Sequence, residues 1–219
     1  MSSGPQPALQ RMIALYRDAY ARHGDSAAAV LWPKGRQSLR FEALTAHLSG
    51  GGFSVLDFGC GLAHLKAFLD ERYRDVRYAG ADVVAEFIEA CRRRYPQAAF
   101  QHLQGAGELA GEYDHIVASG TFNLVAAESE AEHRELVRAS LRDLWARTRV
   151  SLAVNFMTDD VDFRQPGAYH ENVASLRAFA CTALSRRLRI DQSYMPYEFT
   201  VTVFRDDEIV RPDNVYRSL

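Results

Sequence analysis

Apolar residues recur three and four positions apart from Pro7 to about His23, where Leu9, Met12, Ile13, Tyr16 and Tyr20 share one face. That spacing predicts an amphipathic helix. The loop WPKGRQSLRF follows, then a second helix carrying Phe41, Leu44 and Leu48, broken by Gly50, Gly51 and Gly52. From Phe53 onward the pattern changes to short apolar runs separated by helical stretches. FSVLDFG, VRYAGADV, AAFQHL, YDHIVASG and VSLAVNFMT read as strands. Between and after them AHLKAFLDERY, AEFIEACRRRYP, EAEHRELVRASLRDLWARTR and ENVASLRAFACTALS read as helices, the second stopped by Pro96. RLRIDQSYM and EFTVTVFR then predict two strands joined by a tight turn at Met195, Pro196 and Tyr197. Alternating strands and helices imply an α/β fold with a mostly parallel sheet covered on both faces. The closing hairpin makes one edge strand antiparallel, giving seven strands in all. The expected organisation is a helical cap over residues 1–52 and one sheet-containing unit over 53–219.

Composition narrows the partners. The net charge of −2 offers no electrostatic argument for nucleic acid or an acidic membrane. Lys34 and Lys66 are the only lysines, and the arginine clusters CRRRY and SRRLR read as solvated helix faces. Cys60, Cys91 and Cys181 are odd in number and widely spaced, which suits neither a disulfide framework nor a metal site and points to a reducing, cytoplasmic compartment. The opening MSSGPQPALQ lacks a charged-then-apolar leader pattern, and no apolar run reaches membrane-spanning length.

The stretch VLDFGCGLAHL, Val55 to Leu65, carries the chemistry: a buried strand, an acid, two glycines around one residue, then a helix. In open α/β sheets ligands bind at such an edge. A phosphate-cradling loop needs a lysine followed by Ser or Thr, but Lys34 precedes Gly and Lys66 precedes Ala. A dinucleotide fingerprint needs a third glycine where His64 stands. Neither lysine has a tyrosine four residues before it, which argues against a short-chain dehydrogenase.

LDFGCG resembles the first motif of the class I S-adenosylmethionine-dependent methyltransferases, an acid, any residue, then GxG after a strand. The resemblance covers about Phe53 to Arg205. LWPKGRQSLRF, VASGTFN, NFMT and YMPYEFTVTVFR are similar to segments of a bacterial subgroup of mostly unassigned substrates. It implies a Rossmann-like fold, S-adenosylmethionine as cofactor and S-adenosylhomocysteine as product. It also implies roles. Gly59, Cys60 and Gly61 would bring bare backbone to the methionine portion, with Asp57 near its amine. Asp82 would hold the ribose hydroxyls, which need a bidentate acceptor, and Val83 would lie on the adenine. Gln104 stands where the family often has an acid for the adenine amine. Ser119 and Gly120 would close the fourth strand near the sulfur, and Trp32, Gln37 and Arg40 would form a lid, Arg40 pairing with the cofactor carboxylate.

Methyl transfer asks the protein mainly to align nucleophile, methyl and leaving sulfur. A base is needed only for a hydroxyl or a protonated amine. His170, read as an exposed loop residue in GAYHEN, is the candidate base. His115 falls within the fourth strand and reads as packed in the sheet. Tyr20, Asn123, Asn155, Tyr169, Tyr194, Tyr197 and Glu198 are the candidates for gripping a small-molecule acceptor, with capping of the hairpin as the other reading of Glu198. A non-catalytic binding subunit on the same scaffold, and a hydroxylase or decarboxylase built on it, remain open at this point.

Overall fold

Each apolar stretch becomes a strand of one sheet or a helix that covers it. The computed structural model describes residues 7–31 and 36–205. The elements run α1 (Pro7–His23), α2 (Gln37–Thr45), β1 (Ser54–Phe58), α3 (His64–Arg72), β2 (Arg77–Asp82), α4 (Ala85–Arg94), β3 (Ala99–His102), β4 (Tyr113–Ala118), α5 (Glu130–Ala146), β5 (Thr148–Thr158), β6 (His170–Glu171), α6 (Val173–Ala183), β7 (Leu188–Asp191) and β8 (Glu198–Phe204). Strand order is β3-β2-β1-β4-β5-β8-β7, with the two-residue β6 pairing alongside β5. Strands β1 to β6 run parallel, while β8 is antiparallel to both β5 and β7. The antiparallel strand thus belongs to the edge hairpin and slots one place in from the rim. A six-residue connection, 192–197, joins its arms in place of the tight turn expected at Met195 to Tyr197.

The sheet is sandwiched, so its central strands are buried on both faces. All five residues of β1 are buried. One core gathers Leu56, Ile116, Leu152 and Phe156 with Val137, Leu141 and Leu144, which sit at helical spacing on α5. The other gathers Val55, Val117 and Ala153 with Phe41 and Leu44 of α2 and Leu65, Phe68 and Leu69 of α3. Leu48 packs there too, although α2 ends at Thr45.

A third cluster joins the cap to the sheet domain. Ile13 of α1 packs with Leu62, Val84 and Phe87, and Tyr16 and Tyr20 set their ring edges against Phe87. Exposed ion pairs pin α1 on both sides of the sheet's C-terminal edge. Arg11 meets Glu128 at 3.2 Å, after β4, and Arg17 meets Glu86 at 2.6 Å, on α4. The helix therefore lies as a strap across the strand ends. Among the described residues no helix is long and apolar enough to cross a membrane.

Candidate active site

A cavity of about 300 Å³ opens beneath that strap. The sheet order reverses between β1 and β4, which carries the two following helices to opposite faces and leaves a crevice at the strand ends. The turn after β1 forms its floor. Gly59 has φ +74°, and a Cβ there would stand 2.5 Å from Thr121 Oγ1. Gly61 has φ +52°, and its Cβ would meet Val30 at 2.9 Å. Glycine is thus required at both positions by backbone angle and by space. The Gly59 and Cys60 N–H groups donate to the Ala81 carbonyl at 2.8 and 3.0 Å, fastening the turn to β2.

Two buried carboxylates face this turn. Asp82 Oδ2 accepts from Gly61 N–H at 2.8 Å and Oδ1 from Val84 N–H at 2.9 Å. Burial raises the Asp82 pKa, against those backbone donors, which lower it. Asp82 is not the N-cap of α4; Val84 holds that place. Each Asp82 oxygen keeps a second lone pair for a ligand hydroxyl. Asp57 accepts from the Tyr78 hydroxyl at 2.8 Å, and burial pushes its carboxyl up to about 7.

Of the residues singled out for the cofactor, Asp57, Gly59, Cys60, Gly61, Asp82 and Val83 all line this one cavity. So do Gln104, Ser119, Gly120, Gln37 and Arg40. Trp32 lies outside the described residues. Arg40 is buried and already pairs with Glu198, through Nε at 2.9 Å and Nη2 at 2.5 Å. Glu198 also accepts from Asn155 Nδ2 at 2.7 Å, and Asn155 Oδ1 accepts the Gly120 N–H at 2.5 Å. This chain links α2 of the cap, β8, β5 and the end of β4.

The acceptor-gripping set divides. Asn123 lines the cavity. Asn155 and Glu198 do not; both are buried behind it, bracing Arg40 and Gly120, so Glu198 is not a hairpin cap. Tyr169 is fully buried and donates to Glu171 at 2.9 Å, which Arg138 also pairs at 3.1 Å. Tyr194 is hydrogen-bonded to Thr200, and Tyr197 is exposed and donates to Asp162. Tyr20 packs on Phe87 away from the cavity wall.

His170 needs correction as a base. It sits in β6 with 3% exposure, its Nδ1 is 2.8 Å from the Thr158 carbonyl oxygen, and it does not line the cavity. The loop reading failed because β5 captures this residue into the sheet. His115 is in β4 as expected, with Nδ1 2.8 Å from Ser151 Oγ.

Several lining residues carried no sequence signal of function. Leu9, Met12 and Tyr16 face the cavity from α1, at the spacing of one helix face. Burial, with Asp82 nearby, pushes the Tyr16 phenol up. Two imidazoles do line the cavity, His64 at the start of α3, whose Nε2 lies 3.1 Å from Asp25 Oδ1, and His133 of α5. The second is the one beside the segment after β4. Its Nδ1 accepts the Ala126 N–H at 3.1 Å, which leaves the proton on Nε2 to meet the Phe122 carbonyl at 3.1 Å. Burial lowers its pKa, so it is neutral at pH 7 and both nitrogens are engaged.

Comparison with known proteins agrees with this geometry. A family model described as a methyltransferase domain matches residues 55–144. A protein of Mycobacterium tuberculosis named "Putative methyltransferase Rv1506c" is 29% identical over 153 residues, 69% of this chain and 92% of its own length. The fold is similar to that of the magnesium protoporphyrin IX methyltransferase of Synechocystis PCC 6803, solved with bound S-adenosylmethionine. The TM-score is 0.63 at 15% identity, over 94% of this chain and all of that one. It is also similar to the 1,6-didemethyltoxoflavin-N1-methyltransferase of Burkholderia thailandensis, solved with bound 1,6-didemethyltoxoflavin and S-adenosylhomocysteine. There the TM-score is 0.62 at 17% identity, over 94% and 93% of the two chains.

Proposed function

We propose that this chain, whose residues 55–144 match a methyltransferase domain and whose fold is similar to that of solved methyltransferases, moves the methyl of S-adenosylmethionine to a small-molecule acceptor. The observation that carries this reading is the convergence of the glycine turn, Asp82 and the end of β4 on a single cavity. The residues present fit the cofactor. Gly59 and Gly61 hold a turn that packs against Thr121 and Val30 and lines the cavity with bare backbone, and Asp82 offers a buried carboxylate suited to two vicinal hydroxyls. When bound, the sulfonium supplies a methyl that is already electrophilic.

The protein's part is then to bind and align. Asp57 would face the ammonium of the cofactor, and a nearby positive charge favours its ionised form. Val83, Leu103 and Gln104 would flank the base. Arg40, held by Glu198, would face the carboxylate. Ser119 and Gly120 would sit at the reacting end, the latter fixed by Asn155. Tyr16 of the strap would exclude water from above. Alignment of this kind supplies several kcal/mol of the barrier, on the order of what orientation contributes elsewhere.

The cavity of about 300 Å³ would seat the cofactor as well, and the space left beside it supports a low-molecular-weight acceptor over a polymer. The cysteines are free, which supports a reducing, cytoplasmic setting. The alternative of a non-catalytic subunit needs the acceptor side to be plugged. Here the cavity continues past Ser119 to Met157 and Ala168. Incubation with S-adenosylmethionine and a metabolite extract should release S-adenosylhomocysteine, detected by mass spectrometry. Tight cofactor binding without that product in any extract fraction would favour the binding subunit; no cofactor binding would end both readings.

A further inference from the structure

The half of the cavity beyond the cofactor residues is built from different material. Resting on the methyl-transfer reading, we infer that the acceptor is an uncharged, largely apolar small molecule bearing a carbonyl or ring-nitrogen acceptor, which Asn123 reads. Cofactor-side residues come from the ends of β1, β2 and β3, whereas the acceptor side is supplied by the segments after β4 and β5. Those segments contribute Phe122, Leu124, Met157 and Ala168. Leu9 and Met12 of α1 face the same cavity from the strap, whose end over this side is pinned by Arg11 to Glu128. Leu9, Met12, Leu124 and Met157 are only partly buried, so apolar surface is left for a ligand to cover. Covering it favours an apolar ligand, a gain that a sugar or an ion would forfeit through its own desolvation.

The polar side chains from the segments after β4 and β5 include Gln165 and Asn123, and Asn123 is oriented by a bond to the frame. Asn123 Oδ1 accepts the Met157 N–H at 3.3 Å. That bond turns its Nδ2 donor toward Gly120, 3.8 Å from where a Cβ on that residue would stand. His133, neutral and with both nitrogens engaged, does not present a charge. A donor amide in a largely apolar chamber selects a ligand acceptor atom, because binding that leaves the amide unpaired loses its hydrogen bond to water without replacement. The single pair gives orientation, and the apolar walls give affinity.

The test uses protein saturated with S-adenosylhomocysteine and three neutral probes, coumarin, indole and glucose, titrated by calorimetry. Coumarin is flat with a carbonyl, indole flat without one, and glucose polar. Coumarin should bind at least tenfold tighter than glucose. Leu124→Asp should weaken coumarin at least fivefold, with S-adenosylhomocysteine affinity held within twofold. Asn123→Asp keeps the Met157 bond and removes the donor, so it should weaken coumarin about tenfold and indole by less than twofold. Glucose binding as well as coumarin, or coumarin indifferent to Leu124→Asp, overturns the assignment of the chamber. Equal loss of coumarin and indole in Asn123→Asp overturns the role of Asn123. Failure of S-adenosylhomocysteine to bind in the first titration refutes the methyl-transfer reading instead, and is recorded separately.

Discussion

Asp82 is the position where cofactor binding and local stability can be separated by experiment. Its two oxygens hold Gly61 N–H and Val84 N–H at 2.8 and 2.9 Å in a wall that is 9% exposed. In Asp82→Ala both donors lose their acceptor, at about 1–3 kcal/mol each. With roughly 2–4 °C of Tm per kcal/mol in a chain of this size, the melting temperature should fall by roughly 5–20 °C. In the proposed role of Asp82, the same change also removes the acceptor for the ribose hydroxyls. Hydrogen bonds to a charged group are worth about 1.5–3 kcal/mol, so Kd for S-adenosylmethionine should rise roughly 10- to 150-fold. Asp82→Asn retains one oxygen, so it should keep more of the fold's stability while still losing affinity. Calorimetry and thermal denaturation on the three proteins report the two effects independently. If Asp82→Asn binds the cofactor as tightly as the parent, the carboxylate only braces the glycine turn and the assignment is wrong. If Asp82→Ala melts at the parent temperature, the hydrogen-bond argument fails instead.

Asp57 should make both stability and binding depend on pH. Its folded carboxyl titrates at about 7 and its unfolded one near 3.8, so the folded state holds an extra proton between them. The stability this confers is complete below the lower value and is lost as pH rises through 7. Asp57→Asn should therefore raise Tm at pH 8 but not at pH 4, and S-adenosylmethionine, a cation, should bind the parent more tightly at pH 8 than at pH 5.5; a flat parent profile would refute this. Gly59→Ala carries both a left-handed backbone cost of about 1–2 kcal/mol and a collision with Thr121, whereas Gly24→Ala, with φ +58° and open space, carries only the first. Cofactor affinity should drop more than tenfold in Gly59→Ala alone, and equal behaviour of the two variants would discount the turn as the floor of the site. Arg40→Met strands the buried Glu198 and should cost about 3–5 kcal/mol by chemical denaturation, while Arg40→Met/Glu198→Leu should recover part of that loss. Strict additivity would mean that the pair is not coupled.

Sequence by itself determined the elements and the floor of the site. The glycines at 59 and 61, the acid at 57 and the acid closing β2 were readable because each answers to a local demand: a positive φ, a strand end, a buried acceptor. Helical and alternating periodicities placed the strands and helices for the same reason, since each reports which face of a short segment is apolar. Periodicity does not report what that face meets. Leu9, Met12 and Tyr16 read as ordinary core spacing, and only the docking of α1 across the strand ends turned them into walls of the cavity. The Arg40–Glu198 pair spans 158 positions, and no local pattern links its members. His170 looked like an exposed loop residue because its two-residue strand exists only through pairing with β5. Short-range sterics and burial write themselves into neighbouring residues, whereas contacts between distant segments arise only when the sheet assembles, and those contacts decided which polar groups face the cavity and which brace the frame.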